Sequence, residues 1–327
     1  MKKSFLYGSI VLMLVALLGM ATAEAATLNV PGDYSTIQAA INAASAGDTI
    51  QVAAGSYSEN VTVGKALTIR GAQADAAVAG RTAGGVAEST LRGEFSITAD
   101  DVEINGFTLT RPDGQRVIFV GSATPSRKNI TIAHNLIDDV GGATYALRVY
   151  AVYLYRGPDN ITIRDNLFNN IRAGTQSVNA IYIGDTASTD PSSDIIIERN
   201  TFTNIRSLDP VNRRGGYAIL VNNGAGTPNL QIRDNWIDGV EGLWAHAIGL
   251  ERSTLNAVVS GNTIRNVIDY SVPSDAVAVF FEDNPDGGTV KVSRNVFENV
   301  SAGVVIHPKH WPPSYTVSAA GNYWGAA

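Results

Sequence analysis

An asparagine recurs with the same apolar neighbours from the middle of this sequence to its end, and this repeat constrains the fold more than any other feature. Each copy reads apolar, any residue, apolar, two further residues, Asn, any residue, Ile or Phe, and then Val or Ile three residues later. The copies are spaced 31, 34, 35, 27, 33 and 27 residues apart, at Asn135, Asn166, Asn200, Asn235, Asn262, Asn295 and, in a shorter form, Asn322. Apolar residues alternate along each copy with period two, which indicates β-strands. Because a unit this short cannot bury its own apolar face, successive units must stack, and the sequence predicts a β-solenoid.

A second strand follows each asparagine and reads small residue, branched residue, any residue, aliphatic residue. It begins at Ala151, Ala180, Ala218, Ala247, Ala276 and Gly303. We expect the branched residues to point inward and to stack at the separation of parallel strands, about 4.8 Å, so that about ten coils make a rod of about 48 Å. Thr36–Ala44 is the one convincing amphipathic helix, with Ser35 or Thr36 as N-cap, and it is predicted to cover the open first coil.

The composition limits the classes of protein to which this chain can belong. Since 45% of the residues are apolar and only 17% are charged, the chain can bury a large core. It has no cysteine, which excludes a disulfide scaffold, a thiolate metal site and a cysteine nucleophile. The net charge of −6 argues against nucleic acid as a partner, because phosphate contacts need clustered Lys and Arg.

The first 25 residues are predicted to be a secretory signal peptide. Lys2 and Lys3 form a positive start, residues 5–20 are apolar, and Ala23-Glu24-Ala25 supplies a small-x-small cleavage site. A membrane anchor is the competing interpretation, but about 16 apolar residues are short for a membrane span. The mature chain is therefore predicted to be a single domain, residues 26–327, that is secreted or periplasmic and has no membrane anchor after cleavage.

Stacked coils turn a sequence position into a column of side chains, and several polar columns have structural explanations. The repeated asparagines predict a ladder whose amides bond to one another and to the backbone, with sugar binding as the alternative. Charged residues just before the asparagines alternate in sign between coils, in columns of Arg164, Glu198 and Arg233 and of His134, Asp165, Arg199 and Asp234. Opposite charges on adjacent strands stabilise a sheet, so these columns predict an ionic ladder rather than catalytic arginines.

The outward side of the second strand differs, because its columns do not repeat one residue type. The first column is predicted to contain Tyr150, Asn179, Tyr217, His246 and Asp275. The second is predicted to contain Tyr153, Tyr182, Leu220, Gly249, Ala278 and Val305, and the third Tyr155, Gly184, Asn222, Glu251, Phe280 and His307. Nearby basic side chains are Arg148, Arg156 and Arg252. This surface suits stacking on sugar rings and hydrogen bonds to their hydroxyls and carboxylates, and the alternative is an aromatic strand surface partly covered by loops.

His246 is the leading candidate for catalysis, with a structural histidine as the alternative. If the register holds, Tyr217 lies one coil before it and Asp275 one coil after it, each about 5 Å away. A neighbouring carboxylate orients a histidine and raises its basicity, and a tyrosine can act as acid or base. Glu251 and Arg252 follow on the same strand, where Arg252 would neutralise a uronate carboxylate.

Two acidic loops supply the oxygen ligands that Ca²⁺ requires, so calcium is a candidate cofactor. One contains Asp185, Asp190 and Asp194, and the other contains Glu282, Asp283 and Asp286. Neither loop has a recognisable ligand spacing, and both contain turn-forming Pro or Gly, so solvated turns are the alternative interpretation.

Both ends of the mature chain resemble a known family. The segment 30–57, which includes Val30-Pro31-Gly32-Asp33-Tyr34 and Gly55-Ser56-Tyr57, resembles the entry of pectate-lyase-like right-handed parallel β-helix proteins. The segment Gly321-Asn322-Tyr323-Trp324-Gly325 resembles their closing motif. The resemblance implies an all-β, right-handed parallel β-helix. It does not decide the activity, because this superfamily includes lyases, hydrolases, epimerases, esterases and non-catalytic proteins.

Three functional hypotheses follow. The sequence lacks the paired aspartates of polygalacturonase-like hydrolases, the Gln-Asp-Thr segment of pectin methylesterases and the Asp-Pro-His motif of alginate epimerases. The first hypothesis is a lyase on an acidic polysaccharide, in which Arg252 or Arg148 binds the uronate while His246 and Tyr217 move protons. The second is a non-catalytic β-helix that binds glycan or serves as a surface or assembly module. The third, which the resemblance implies, is an accessory protein of copper maturation using His307 and His310.

Overall fold

A computed structural model describes residues 24–121, 126–185, 187–209, 211–212, 214–252, 254–270, 275–282, 288–307 and 315–325. Most of the predicted signal peptide lies outside the described residues, as do Asp283 and Asp286 of the second acidic loop and His310 of the copper hypothesis. None of the helices in these ranges is long and apolar enough to cross a membrane.

Period-two alternation of apolar residues produces strands along the whole described chain, because alternate side chains of a strand point to opposite faces. In chain order the strands are β1 (Thr27–Val30), β2 (Thr49–Val52), β3 (Gly55–Tyr57), β4 (Asn60–Val63), β5 (Thr68–Arg70), β6 (Ser89–Arg92), β7 (Glu94–Ile97), β8 (Val102–Asn105), β9 (Thr108–Pro112), β10 (Ile118–Val120), β11 (Lys128–Ala133), β12 (Leu136–Gly142), β13 (Val149–Leu154), β14 (Asp159–Arg164), β15 (Leu167–Ala173), β16 (Val178–Ile183), β17 (Ile195–Glu198), β18 (Thr201–Ser207), β19 (Gly216–Val221), β20 (Gln231–Arg233), β21 (Trp236–Gly242), β22 (Ala245–Leu250), β23 (Val258–Ser260), β24 (Thr263–Asp269), β25 (Val277–Phe281), β26 (Gly288–Ser293), β27 (Val296–Glu298), β28 (Ala302–Ile306) and β29 (Tyr315–Ser318).

Three parallel sheets form the walls of a solenoid. The first sheet has eleven strands in the order β1-β2-β5-β8-β11-β14-β17-β20-β23-β26-β29. The second has nine, from β3 to β27, and the third has nine, from β4 to β28. Since a complete coil contributes one strand to every sheet, the described residues form nine complete coils, with β1 before them and β29 after them. The predicted all-β parallel solenoid is confirmed, whereas the prediction of about ten coils is slightly too high.

The N-terminal helix is shorter than predicted and does not cover the first coil alone. Helix α1 comprises Ile37–Ala43, and the side chain of its N-cap Thr36 accepts a hydrogen bond from the first turn. Its buried face packs against β1, β2 and β4. Strand β1, which precedes the helix, pairs with β2 at the edge of the first sheet. The predicted cap is therefore slightly wrong, because a strand shares the end of the solenoid with the helix.

Stacked branched residues fill the interior, and the asparagine ladder closes one of its corners. Ile130, Ile161 and Ile195 lie in register on adjacent coils and are buried. The Asn166 Nδ2 donates hydrogen bonds to Asn200 Oδ1 at 3.0 Å and to a backbone carbonyl of the preceding coil at 2.9 Å. The Asn166 backbone N–H also donates to Asn200 Oδ1, at 3.0 Å. The predicted ladder is confirmed, and each amide in it is satisfied by neighbouring coils.

The ionic ladder beside the asparagines is confirmed as well. Arg233 Nε lies 2.7 Å from Glu198 Oε2, and Arg199 Nε lies 2.9 Å from Asp165 Oδ1. These arginine side chains are 40% and 48% exposed, so their ion pairs are weak contributors to stability. Since these arginines bond to acids of neighbouring coils, the remaining predicted functional residues are those on the outward face of the third sheet.

Candidate functional site

The third sheet carries two outward columns in the predicted register. In the first, Tyr150 pairs with Asn179, then Tyr217, then His246. In the second, Tyr153 pairs with Tyr182, then Leu220, then Gly249. The repeat positions these side chains, because the residues between them on β13, Val149, Ala151, Val152 and Leu154, are buried in the core, as are their counterparts on β16, β19 and β22. The sequence therefore predicts correctly which residues share these columns as far as β22.

The next strand, β25, is two residues out of the predicted register. His246 pairs with Val277, and Gly249 pairs with Phe280, whereas Ala278 is buried in the core. The prediction that Asp275 is the strand neighbour of His246 is therefore wrong. The error has a simple cause, because Ala276-Val277 and Ala278-Val279 both match the small-then-branched pattern by which the strand was aligned, and the structure uses the second of them.

A cluster of aromatic rings covers the first half of this face, and we call it the tyrosine cluster: Phe119, Tyr150, Tyr153, Tyr155 and Tyr182. The ring centroids of Tyr150 and Tyr153 are 4.8 Å apart, and those of Tyr150 and Tyr182 are also 4.8 Å apart. Phe119 lies 5.6 Å from Tyr153. Burial raises the pKa of Tyr153 and of Tyr182, so both hydroxyls stay protonated and can donate hydrogen bonds. Phe119 was not among the predicted residues, although Ile118-Phe119-Val120 has the same pattern as Val152-Tyr153-Leu154, with which it pairs on the next coil.

Three arginines border the tyrosine cluster. The guanidinium of Arg116 lies 4.2 Å from the ring centroid of Phe119, and that of Arg156 lies 5.0 Å from that of Tyr155. Arg148 lies near the hydroxyls of Tyr150, Tyr182 and Tyr217, which outweigh the effect of burial and raise its pKa. The side chain of Asn179, in the same column as Tyr150, is fully buried, and its Nδ2 donates to the Val149 carbonyl at 3.2 Å.

The first acidic loop is tied to Arg156. Arg156 Nε lies 2.8 Å from Asp185 Oδ2, and this hydrogen bond lowers the pKa of Asp185. Among the described residues no group of three His, Asp or Glu side chains is arranged to hold a metal ion. Calcium at Asp185, Asp190 and Asp194 stays a prediction without a ligand cluster among these residues, and two residues of the second loop, Asp283 and Asp286, lie outside them.

A hydrogen-bonded group around Glu251 occupies the middle of the face. The Asn222 Nδ2 donates to Glu251 Oε2 at 2.7 Å, and the Tyr217 hydroxyl donates to Glu251 Oε1 at 3.5 Å. Arg252 Nε donates to Asn222 Oδ1 at 3.3 Å. Burial, with the charge of Glu282 on the next coil, raises the pKa of Glu251 to about 7. A carboxyl with this pKa can either give or take a proton near neutral pH.

His246 belongs to a different group of side chains. Its ring stacks on Phe280 with centroids 4.0 Å apart, and it meets the rings of Tyr217 and Trp244 edge-on at 5.6 Å and 5.8 Å. The side chain is 1% exposed, and burial lowers its pKa to about 3, with Asp269 opposing the shift. Its Nδ1 is buried and has no hydrogen-bond partner in the part of the chain that the structure describes. The structure thus brings Tyr217 to Glu251 and Arg252 to Asn222, while His246 packs among aromatic rings.

A cavity of about 320 Å³ opens beside His246, and we call it the histidine cavity. Its lining residues are Trp244, His246, Asp275, Val277, Phe280, Val305 and His307. Asp275 therefore lies near His246, although the two residues are not strand neighbours as predicted. Trp244 was not among the predicted site residues, and the sequence marks it only as an aromatic residue just before a strand.

The family comparison agrees with the architecture. A model of the right-handed beta helix region matches residues 56–249. No curated protein matches the chain by sequence.

Solved structures with a similar fold were also found. An alginate lyase from Paenibacillus sp. str. FPU-7 is 14% identical with a TM-score of 0.47, over 91% of this chain and 99% of that one. A polygalacturonase from Erwinia carotovora ssp. carotovora is 14% identical with a TM-score of 0.39, over 90% of this chain and 96% of that one. The A-module of the mannuronan C-5 epimerase AlgE6 from Azotobacter vinelandii is 14% identical with a TM-score of 0.35, over 89% of this chain and 94% of that one. At these identities the likeness concerns the course of the chain and not its chemistry.

Proposed function

The chain belongs to the right-handed β-helix family, and on this premise we propose that it binds a polysaccharide along the outward face of its third sheet. The observation that carries the proposal is the tyrosine cluster, whose rings pack on one another outside the core. Apolar rings that carry a hydroxyl match a sugar, which has an apolar C–H face and polar edges. Five coil spacings separate Phe119 from Phe280 on this face, which gives a surface about 24 Å long.

The arginines around the tyrosine cluster suggest which sugars lie over it. Arg148 and Arg156 can bind a carboxylate with two parallel hydrogen bonds, and the planar guanidinium also stacks on aromatic rings. We therefore propose an acidic polysaccharide as the ligand of this half of the face. The proposal retains the eight predicted substrate-binding residues, although Asn179 would act by holding its strand rather than by touching the ligand: Tyr150, Tyr153, Tyr155, Tyr182, Asn179, Asn222, Arg148 and Arg156.

Substitution of Tyr153 tests this proposal. We expect Tyr153→Ala to raise the dissociation constant for pectate, alginate or a glycosaminoglycan about 2- to 10-fold, because one stacked ring contributes about 0.5–1.5 kcal/mol. Isothermal titration calorimetry measures the change. Trp236→Ala is the matched control, since Trp236 is a 39% exposed aromatic residue on the second sheet. Equal effects of the two substitutions, or no binding of any polysaccharide, would contradict the proposal.

The group around Glu251 favours a second candidate function, a lyase reaction on the bound chain. In such a β-elimination a base takes the proton beside the uronate carboxylate and an acid protonates the leaving glycosidic oxygen. Ionised Glu251 would be the base and the Tyr217 hydroxyl the acid, with Arg252 or Arg148 neutralising the uronate. The raised pKa of Glu251 supports this assignment. The sequence-based assignment of the base to His246, oriented by Asp275, stays the competing one.

Ultraviolet absorbance separates the two assignments, because elimination produces an unsaturated, absorbing sugar. The protein would be incubated with pectate, alginate and glycosaminoglycans, with and without Ca²⁺. Loss of the signal in Glu251→Gln but not in His246→Ala would place proton transfer at Glu251, and the reverse result would place it at His246. If the wild-type protein gives no signal on any substrate, the lyase candidate is wrong and binding alone is left.

We also propose that the protein acts outside the cytoplasm, on the basis of the signal-peptide pattern in residues 1–25. Expression of the full chain, followed by N-terminal sequencing of the exported protein, tests this point. A mature N-terminus at Ala26 is the expected result, and retention of residues 1–25 on a membrane-bound protein would contradict it.

A further inference from the structure

The histidine cavity adjoins the tyrosine cluster but differs from it in shape and charge. The His246 ring touches Tyr217 at a centroid distance of 5.6 Å, so the cavity continues the same outward face toward the C-terminal coils. At about 320 Å³ it is at the small end of the range of ligand pockets, about 300–1,000 Å³. The cavity is thus a place for one small unit rather than for a long segment of a chain.

Two flat walls of this cavity meet at nearly a right angle. His246 and Phe280 stack with an angle of 19° between their planes and form one wall. Trp244 stands at 83° to His246 and at 74° to Phe280 and forms the other. Aromatic faces of this kind pack well against the apolar C–H face of a sugar ring.

The conformation of Trp244 indicates that this wall is held in place. Its φ is 109°, a backbone conformation that a bulky side chain rarely adopts. The Trp244 backbone N–H donates to Asp269 Oδ2 at 2.6 Å, and Asp269 is itself buried. Backbone strain of this kind persists only where the surrounding structure enforces it, and it is concentrated at functional sites.

The buried Nδ1 of His246 lacks a hydrogen-bond partner among the described residues, and its side chain lines the cavity, which together point to a ligand group. A buried polar atom without a hydrogen bond costs free energy, and that cost is recovered when a ligand supplies the bond. Nδ1 is a donor in one tautomer and an acceptor in the other. A sugar hydroxyl can play either part, so it satisfies His246 in both tautomers.

The charges of the described residues around the cavity disfavour an anionic sugar. Asp275 is one of the lining residues, and none of the described lining residues is Lys or Arg. Asp269 and Glu282 lie close by, as their interactions with His246 and Glu251 show. A uronate placed here would meet these like charges and find no Lys or Arg among the described lining residues, whereas the hydroxyls of a neutral sugar can donate to the Asp275 carboxylate.

We infer that the histidine cavity binds one uncharged pyranose residue of the glycan, so that the ligand carries a neutral sugar at this position and acidic sugars over the tyrosine cluster. The inference rests on the proposed function, because it assumes a glycan on this face. It adds that recognition along the face changes from acidic to neutral sugars at about the coil of Tyr217. The sequence-predicted lyase site at His246 becomes a binding position for a sugar that no lyase acts on.

The test compares oligosaccharide binding in three variants by isothermal titration calorimetry. The probes are neutral tetrasaccharides of β-linked glucose, mannose and xylose and the acidic tetrasaccharides of galacturonate and mannuronate. Val305→Trp fills the cavity, and His246→Phe keeps the stacked ring but removes the nitrogen atoms. Val296→Trp is the matched control, because Val296 is a half-buried valine on the outward side of the second sheet near the same end.

We expect the wild-type protein to bind at least one neutral probe and Val305→Trp to weaken this binding about tenfold or more, which corresponds to about 1.4 kcal/mol. His246→Phe should weaken it as well while raising Tm, which separates loss of a ligand bond from damage to the fold. Binding of acidic probes should change little in either variant and should fall in Tyr153→Ala.

Three outcomes would overturn the inference. If Val305→Trp and Val296→Trp bind the neutral probes equally well, the cavity is not the site, although the proposed function survives where Tyr153→Ala still weakens the acidic probes. If Val305→Trp weakens acidic probes only, the cavity binds a uronate and its assignment to a neutral sugar is wrong. If the wild-type protein binds no oligosaccharide or polysaccharide, the proposed function fails and this inference fails with it.

Discussion

The asparagine ladder and the outward face of the third sheet are both built from side chains stacked coil upon coil, but they differ in how their polar atoms are satisfied. Asn166 and Asn200 bond to each other and to backbone carbonyls of the preceding coils. On the outward face, His246 Nδ1 and Asn179 Oδ1 are buried and have no hydrogen-bond partner among the described residues, and burial raises the pKa of Glu251. In a column of identical asparagines the side chains satisfy one another, because each coil presents the same amide donors and acceptors to the next coil.

The difference shows where function can reside in a solenoid. A column with one residue type in every coil stabilises the fold and leaves no group free for a ligand. A column whose residue types neither repeat nor alternate in charge cannot form a ladder, so its polar groups are costly for folding and available for binding. The outward face changes from tyrosine to histidine and glutamate within four coils, and it is at this change that we propose the site.

Breaking the ladder should have the largest effect on stability. Asn200→Ala removes the acceptor for the Asn166 N–H and amide and the donor for two buried carbonyls. Since each buried group left unpaired costs about 1–3 kcal/mol, we expect a loss of about 3–5 kcal/mol in the free energy of unfolding. Urea unfolding followed by circular dichroism measures it. Asn169→Ala, on the half-buried outward side of β15, should cost about 1 kcal/mol or less, and a similar cost for both variants would refute the contrast.

Removing Nδ1 of His246 should raise the free energy of unfolding, and the size of this gain should depend on pH. Burial lowers the pKa of His246 to about 3 in the folded protein, whereas the ordinary pKa of a histidine is 6.5. The unfolded chain therefore binds the proton first as the pH falls below 6.5, and stability present above this pH is lost on the way to pH 3. At pH 4.5 the loss is about 2–3 kcal/mol relative to pH 7.

His246→Phe should abolish this loss, so the variant gains most over the wild-type protein at acidic pH. The difference between the two unfolding free energies should grow by about 2–3 kcal/mol from pH 7 to pH 4.5. Taking the difference matters, because Glu251 also titrates as the pH falls from 7 and contributes to both proteins. A difference that is independent of pH would show that His246 is not buried in its neutral form.

The ionic ladder should give the smallest effect. Arg233→Met removes a cation that is 40% exposed and 2.7 Å from Glu198, and we expect a loss of less than about 1 kcal/mol. The loss should shrink further in 1 M salt, where the screening length is about 3 Å. Unfolding in urea at low and high salt measures both values. A loss as large as that for Asn200→Ala would mean that charge, and not amide hydrogen bonding, holds this corner of the solenoid together.

Much of the fold could be predicted because it is repeated. The columns of Asn166 and Ile161 are each sampled in several coils, so a chance match at one position cannot change the outcome. The first two columns of the outward face were correct as far as His246 and Gly249 for the same reason. The number of coils and the cap were slightly wrong, because the repeat weakens toward the N-terminus and α1 interrupts it.

The chemistry of the site could be predicted only in part. Tyr217 and Glu251, both predicted site residues, are hydrogen-bonded directly, and Asn222 links Glu251 to Arg252. His246, the predicted centre of the site, takes no part in these hydrogen bonds. Trp244 was not predicted because it lies just before its strand, and Phe119 was not predicted because its strand lies one coil before the clearest copies of the second-strand pattern. Asp275 was placed one coil from His246 by a strand register that is two residues in error.

A solenoid with parallel sheets, its asparagine ladder and its ionic ladder follow from the amino-acid sequence alone, because strand period and coil repeat are local properties that recur. The slip of β25, the isolation of His246 and the raised pKa of Glu251 follow only from the tertiary structure. Both registers of β25 match the small-then-branched pattern, so the sequence does not distinguish them. Burial and hydrogen bonding depend on side chains that are distant in the chain, and these two properties are the basis on which we propose a site on this face.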